Sequence, residues 1–288
     1  MINAAPVCSE TKVDDAGHTW TPNSFSSFLR ELSHLTSLCT GEDPVALCRG
    51  HADRDWLLES TLARSCKQLI LGLSPSEAIG QRVQESVEYH RIVLNVLLLK
   101  FGVIERPPCE DARNRDTWYE LMRELQQYPE RDLHHLKGTF YLDWTVSPDV
   151  AVFFANVARM GDGAVWVCDA AATGKTLQEK QLGEILDLMN ETGNRDDPGA
   201  PGCPLLFHPP SRSLDLRAER QQAVYIAQMD LRFDLASLWI SQEENEDSTD
   251  RIFVKLILPN GTQQDCSSYL AQSGITESWL FPPYRGMR

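Results

Sequence analysis

The chain has no run of about 18 apolar residues, the least a membrane-spanning helix needs. Its most apolar stretch, residues 92–101, is broken by Asn95 and Lys100 and reads as a core helix. The opening residues MINAAPVCSETKVDD show neither a basic cluster nor an apolar run, so no secretory signal is expected. Basic residues are in deficit, with 27 Lys and Arg against 41 Asp and Glu and a formal net charge of −14. Proteins that coat nucleic acid or an anionic membrane draw affinity from Lys and Arg, so neither habit fits. A nucleotide or an RNA has to enter through a local basic pocket instead. The eight cysteines, at 8, 39, 48, 66, 109, 168, 203 and 266, form no C-x-x-C pair. That spacing excludes a zinc ribbon or a disulfide framework and suits reduced, buried thiols of a cytoplasmic protein.

Three common catalytic signatures are also missing. Gly174-Lys175-Thr176 looks like the end of a phosphate-binding loop, but Asp169 stands where its first glycine is required. No G-x-S-x-G elbow occurs. His134-His135 has no carboxylate or cysteine at ligand spacing, so no metal is expected.

What remains describes a globular protein. Its 288 residues are 42% hydrophobic and 24% charged, enough to bury a core without staples. Residues 1–22 read as a flexible lead-in, and residues 23–288 as one α+β domain with a variable Gly/Pro/Asp-rich loop at 190–204. Helical spacing of Phe25, Phe28, Leu29, Leu32 and Leu35 predicts a helix over 24–38. Further helices are expected over 61–70, 76–101, 117–127, 149–158 and 266–272. Strands are expected over 45–50, 53–58, 139–144, 163–169, 205–207, 221–229 and 251–258, with an exposed acidic loop over 243–250 and a C-terminal anchor over 279–283. This order predicts helices packed on a mostly antiparallel sheet.

Three clusters stand apart. Cys48-Arg49-Gly50 is followed by Trp56-Leu57-Leu58. Asp143-Trp144-Thr145 leads through Ser147-Pro148 to Ala151-Val152-Phe153-Phe154-Ala155. Arg217 precedes Gln221-Gln222-Ala223-Val224-Tyr225. Together they resemble the FRG family, named for a Phe/Tyr-Arg-Gly motif, across about residues 25–283. Cys48 replaces the aromatic of the first block, and Lys137-Gly138-Thr139 lacks the usual Thr-Arg pair before the second. Ala223 and Tyr225 replace a Gly and a Phe in the third. An Arg on an early strand, hydroxyls before a helix and a polar Glu/Gln later is similar to the layout of ADP-ribosyltransferases. The resemblance therefore implies an ADP-ribosyltransferase-like fold.

The chemistry implied is transfer of ADP-ribose from NAD to a nucleic-acid (RNA included) or protein acceptor, in a toxin–antitoxin or phage-defence setting where an antitoxin or inhibitor protein is the partner. Arg49 and Arg217 would grip phosphate or ribose oxygens, because a guanidinium offers a planar fork of donors. Thr145 and Ser147 stand two apart and would share one side of an extended segment, with Gly50 beside Arg49 and Thr145 counted in the catalytic set. Cleaving the nicotinamide–ribose bond builds positive charge on the sugar. A carboxylate or amide near the ribose, Glu219 or Gln221 on one strand face, would hold that charge. Tyr141, Phe153 or Tyr225 would stack on nicotinamide. If Gln221 holds the key position, no carboxylate stands there: transfer then depends on a base supplied by the acceptor or on Glu219, or the site only binds a nucleotide or nucleic acid. A further alternative is an acidic interaction protein regulated by a partner. Each residue has a plainer role open to it. Arg49 can pair with Asp53, Asp55 or Asp143. Thr145 and Ser147 can cap the helix that Pro148 opens. Trp144, Phe153 and Phe154 can be core, and Arg212, Arg217 and Arg220 can be a solvated stripe.

Overall fold

The structure is a computed structural model that describes residues 2–39, 46–80, 82, 88, 89, 91, 92, 95, 125–127, 132, 134–170, 205–207, 216–228, 231–245 and 250–282. The strands are β1 (Lys12–Val13), β2 (Thr19–Thr21), β3 (Ala46–His51), β4 (Tyr141–Thr145), β5 (Gly163–Asp169), β6 (Leu205–Phe207), β7 (Ala223–Ala227) and β8 (Phe253–Leu258). They form one eight-stranded sheet in the order β1-β2-β8-β5-β3-β4-β7-β6. Only the β2–β8 pairing is parallel, so the fold is α+β on a mostly antiparallel sheet. The described helices are α1 (Phe25–Leu38), α2 (Thr61–Cys66, continued by a π-helical turn over Lys67–Leu71), α3 (Pro148–Asn156), α4 (Leu216–Arg220), α5 (Leu235–Asn245), α6 (Gln263–Gln272) and α7 (Glu277–Leu280).

Period-2 alternation buries both faces of the central strands. Val165 and Val167 of β5 meet α1 through Phe28, Leu32 and Leu35, and α3 through Ala151, Val152 and Ala155. Their neighbours Trp166 and Cys168 join Leu47, Leu142, Trp144, Leu235 and Trp239 on the opposite face, under α5. Helix starts follow capping chemistry. The Ser24 hydroxyl accepts from Ser27 N–H at 3.2 Å, and the Asp234 carboxylate accepts from Ala236 N–H at 3.1 Å and Ser237 N–H at 3.3 Å.

Several expectations are corrected. Residues 2–22 are not a loose lead-in: Ile2 and Trp20 are each only 2% exposed, and Ile2 bridges Arg251. Glu31 of α1 fastens this segment, accepting from the backbone N–H of Val7 at 3.0 Å and Cys8 at 2.8 Å and from the Thr11 hydroxyl at 2.8 Å. Residues 53–58 form bends rather than a strand, and residues 76–80 are non-helical, because Ser74 and Glu77 close a turn by reciprocal hydrogen bonds of 2.7 and 3.2 Å. The acidic stretch from 243 begins inside α5, where Glu243 is 3% exposed. Its carboxylate accepts from Ile252 N–H and meets His18 Nε2 at 2.7 Å. The loop at 190–204, Cys109 and Cys203, and most of 81–124 lie outside the described residues.

Glu31→Ala strands two backbone N–H groups and a hydroxyl. It should lower unfolding stability by about 2–3 kcal/mol and expose residues 2–22 to proteolysis first, measured by denaturant unfolding and limited digestion; wild-type values for both would refute the fastening role.

Candidate functional site

The sheet is incomplete at one seam. β3 pairs with β5 through six residue pairs, from Ala46↔Asp169 to His51↔Ala164. With β4 it pairs only at Cys48↔Thr145. The two strands diverge from that point, and a cavity of about 210 Å³ opens between them. Cys48, Arg49, Gly50, Gln126, Gln127, Asp143, Trp144, Thr145, Val150, Phe154, Arg217, Gln221, Ala223 and Phe281 line it.

Local sequence explains the seam. A Cβ on Gly50 would lie 2.0 Å from the Ala151 carbonyl oxygen and 2.5 Å from Ala155 N. Only glycine lets the α3 backbone lie against β3 there. Gly163 of β5 does the same, 2.6 Å from the Ala155 oxygen. Ser147 starts α3 as its N-cap, accepting from Val150 N–H at 3.4 Å with Pro148 at the first helical position.

Arg49 bridges the diverging strands. Its Nη1 donates to the Asp143 backbone carbonyl, standing where a ladder hydrogen bond would otherwise be. Its Nε lies 3.2 Å from His51 Nε2, and Trp166 Nε1 lies 3.2 Å from His51 Nδ1. Burial, reinforced by Arg49, holds the His51 imidazole well below its ordinary pKa. The neutral ring has one acceptor nitrogen and so accepts from one of these donors at a time. Burial lowers the Arg49 guanidinium to about 10, opposed by Asp143; it stays charged at neutral pH. Its Nη2 makes no hydrogen bond among the described residues.

Asp143 sits mid-strand between buried Leu142 and Trp144. Its Oδ2 accepts from Gln126 Nε2 at 2.6 Å, and Gln126 is itself oriented by the Thr139 hydroxyl at 2.6 Å. Its Oδ1 is buried and has no hydrogen-bond partner among the described residues. Burial pushes this carboxyl up from its ordinary value, with Arg49, the Gln126 hydrogen bond, Arg217 and Arg64 opposing in that order.

The far wall comes from the C-terminal third. Thr145 Oγ1 donates to the Gln221 carbonyl at 2.7 Å and accepts from Ser147 N–H at 2.9 Å. Gln221 Nε2 donates to the Leu280 carbonyl at 3.3 Å, and Arg220 Nη1 to the Trp279 carbonyl at 2.8 Å. The Arg217 guanidinium lies 4.5 Å from the Phe281 ring centroid. Residues 277–281 therefore strap down over α4 and present Phe281 to the cavity.

Arg49, Gly50, Thr145, Arg217 and Gln221, from three distant stretches, face this one cavity. The other expected site residues do not. Tyr141 and Tyr225 are 0% exposed and lie ring to ring at 5.7 Å; the Tyr225 hydroxyl takes a hydrogen bond from Gln127 at 3.0 Å. Phe153 packs on the α1/α3 core, and its neighbour Phe154 lines the cavity instead. Ser147 caps α3. Glu219 is exposed on α4, and Gln221 occupies the turn before β7, so they do not share a strand face. Gly50's place is explained by helix packing. Asp143, Gln126, Gln127, Phe154 and Phe281 were missed as site residues; the one signal for them was a carboxylate in the middle of an apolar strand.

No family model, curated protein or solved structure matches this chain.

The cavity thus combines guanidinium groups, one buried carboxylate oxygen, side-chain amides and the aromatic side chains of Trp144, Phe154 and Phe281. Such a set suits a small ligand carrying both an anionic or carbonyl group and hydroxyls. Among the described residues, no cluster of three or more His, Cys, Asp or Glu is placed to hold a metal ion, and no helix is long and apolar enough to cross a membrane.

Two substitutions test the local geometry. Gly50→Ala drives a methyl into the α3 backbone and should cost about 3 kcal/mol or more, seen as loss of folded protein or a steep fall in Tm. Exposed Gln222, beside the cavity, has φ 46°. Gln222→Gly relieves that left-handed conformation and should raise stability by about 0.5–1 kcal/mol in denaturant unfolding; a decrease would show that the Gln222 side chain holds the turn.

Proposed function

We propose that the β3–β4 cleft takes up NAD and that the protein is an ADP-ribosyltransferase-like effector, passing ADP-ribose to a nucleic-acid or protein acceptor. The observation that carries this reading is the convergence of Arg49, Arg217, Thr145 and Gln221 on one cavity. The Arg49 Nη2 offers a donor to phosphate or ribose oxygens, and the Arg217 guanidinium adds positive charge to the same cavity. Phe154 and Phe281 offer apolar walls to a ring. At about 210 Å³, the cavity is smaller than the roughly 300–1,000 Å³ of sites that enclose a drug-sized ligand. It accommodates one end of a dinucleotide, and the nicotinamide–ribose end is the one where reaction occurs. There the C–N bond breaks, nicotinamide leaves with the bonding pair, and the ribose C1′ bonds to the acceptor nucleophile, whose proton passes to solvent or a base. The FRG resemblance supplies the toxin or phage-defence setting and an antitoxin-type partner.

Nucleotide binding without turnover is the second reading. It is favoured by Glu219 lying exposed on α4 and by the Gln221 amide being held by the Leu280 carbonyl.

Thermal unfolding with NAD separates these readings from a protein with no nucleotide site. At 100-fold excess over Kd, NAD should stabilise the protein by about 2.7 kcal/mol. Arg49→Lys, which keeps the charge but loses the fork, and Arg49→Ala should both reduce that gain. Nicotinamide release in the presence of cell extract then marks transfer, while a shift without release marks binding alone. No shift and no release would end the nucleotide reading.

A further inference from the structure

Glu219 lies exposed on α4, outside the cavity lining, yet the cavity wall does contain a carboxylate. Asp143 enters from β4, on the seam that Arg49 bridges. One of its oxygens is occupied by Gln126 Nε2 at 2.6 Å. The other is buried without a hydrogen-bond partner among the described residues. A buried acceptor left open beside a guanidinium calls for a donor from a ligand. A ribose hydroxyl is such a donor, and acidic side chains take ribose hydroxyls in the same way in dinucleotide-binding folds.

We propose that Asp143 is the ribose-binding carboxylate of this site, filling the role that the family resemblance gives to Glu219 or Gln221. The inference rests on reading the cleft as a nucleotide site. A ribose at Asp143 places its developing positive charge against the one carboxylate that lines the cavity among the described residues, while the Arg49 Nη2 remains for phosphate. The Arg49 Nη1–carbonyl hydrogen bond positions Asp143 through its backbone and leaves the open carboxylate oxygen for the ligand.

Among the described residues, the charged and polar groups acting on this carboxyl are Arg49 from β3, Arg64 from α2, Arg217 from α4 and Gln126. Burial outweighs them and raises its pKa. The folded state therefore binds a proton more readily than the unfolded chain, and Asp143 lowers stability as pH rises from the ordinary carboxyl range through the raised value. Asp143→Asn removes that cost. At pH 7 it should unfold no lower than wild type, with a flatter pH dependence of Tm over that window. The Gln126 amide also orients the new side chain, taking its oxygen and turning its NH2 toward the cavity.

The test is calorimetric titration of the full chain with ADP-ribose, and separately with nicotinamide, for wild type, Asp143→Asn and Glu219→Gln, alongside nicotinamide release. Asp143→Asn should weaken ADP-ribose binding roughly 10- to 100-fold, the loss expected for a hydrogen bond to a charged group. Glu219→Gln should bind as wild type does. Wild-type affinity in Asp143→Asn, or a loss in Glu219→Gln, overturns the assignment even if wild type releases nicotinamide, and the transferase reading then survives alone. Binding weakened by Asp143→Asn in a protein that never releases nicotinamide keeps the assignment and removes turnover. Wild type that binds neither ADP-ribose nor NAD overturns both.

Discussion

The Arg49 guanidinium spans a seam that backbone hydrogen bonds leave open, and the candidate site depends on that arrangement. β3 and β4 are neighbours in the sheet order but share a single residue pair at Cys48↔Thr145. A buried strand edge with unmet carbonyls is costly. Nη1 of Arg49 meets one of them at Asp143, so the strands can separate without leaving that carbonyl orphaned. The same separation makes room for a ligand. A donor that only repaired the sheet would need no free nitrogen, whereas Nη2 makes no hydrogen bond among the described residues.

The polar network around this seam is tightly sequestered. Arg49, His51 and Asp143 are shifted by burial in the directions that disfavour charge. In a low-dielectric setting, partly satisfied polar groups carry a large penalty until a partner arrives. Asp143 holds such an unmet oxygen, and His51 accepts from only one of two facing donors. Neighbouring buried charges elsewhere are closed off. Glu31 is fully engaged by backbone and Thr11, and Lys67 meets Glu59 at 2.6 Å and the Glu77 carbonyl at 2.8 Å. The open Asp143 oxygen at the cavity contrasts with the satisfied charges of Glu31 and Lys67.

Elements whose periodicity is unambiguous were legible in the sequence. The β5 segment GAVWVCD and the α1 stripe of Phe28, Leu32 and Leu35 fall where a short apolar run and helical spacing put them, because β5 is buried on both faces and α1 buries one continuous stripe. Elements set by side-chain hydrogen bonds to distant backbone were not legible. Residues 2–22 look polar and loose until Glu31 is seen to fasten them. The start of the 243–250 stretch looks like a solvated loop until Glu243 is seen against Ile252 N–H and His18. Of the residues named from the motif blocks, Arg49, Thr145, Arg217 and Gln221 line the cavity. Tyr141, Tyr225 and Phe153 were misplaced, because an aromatic on a strand or helix can turn to either face and only packing selects which.

Residue type and local spacing were enough for a mostly antiparallel α+β chain, its main strands and the Ser147–Pro148 helix start. These follow from short-range backbone preference and from the period of apolar side chains, both written in consecutive residues. Which carboxylate faces the cavity could not be read that way. Glu219 and Asp143 are 76 positions apart, and the choice between them turns on α4 ending in a helical turn rather than a strand and on β4 parting from β3. Both are long-range packing outcomes, decided by α7 strapping α4 and by α3 lying against Gly50.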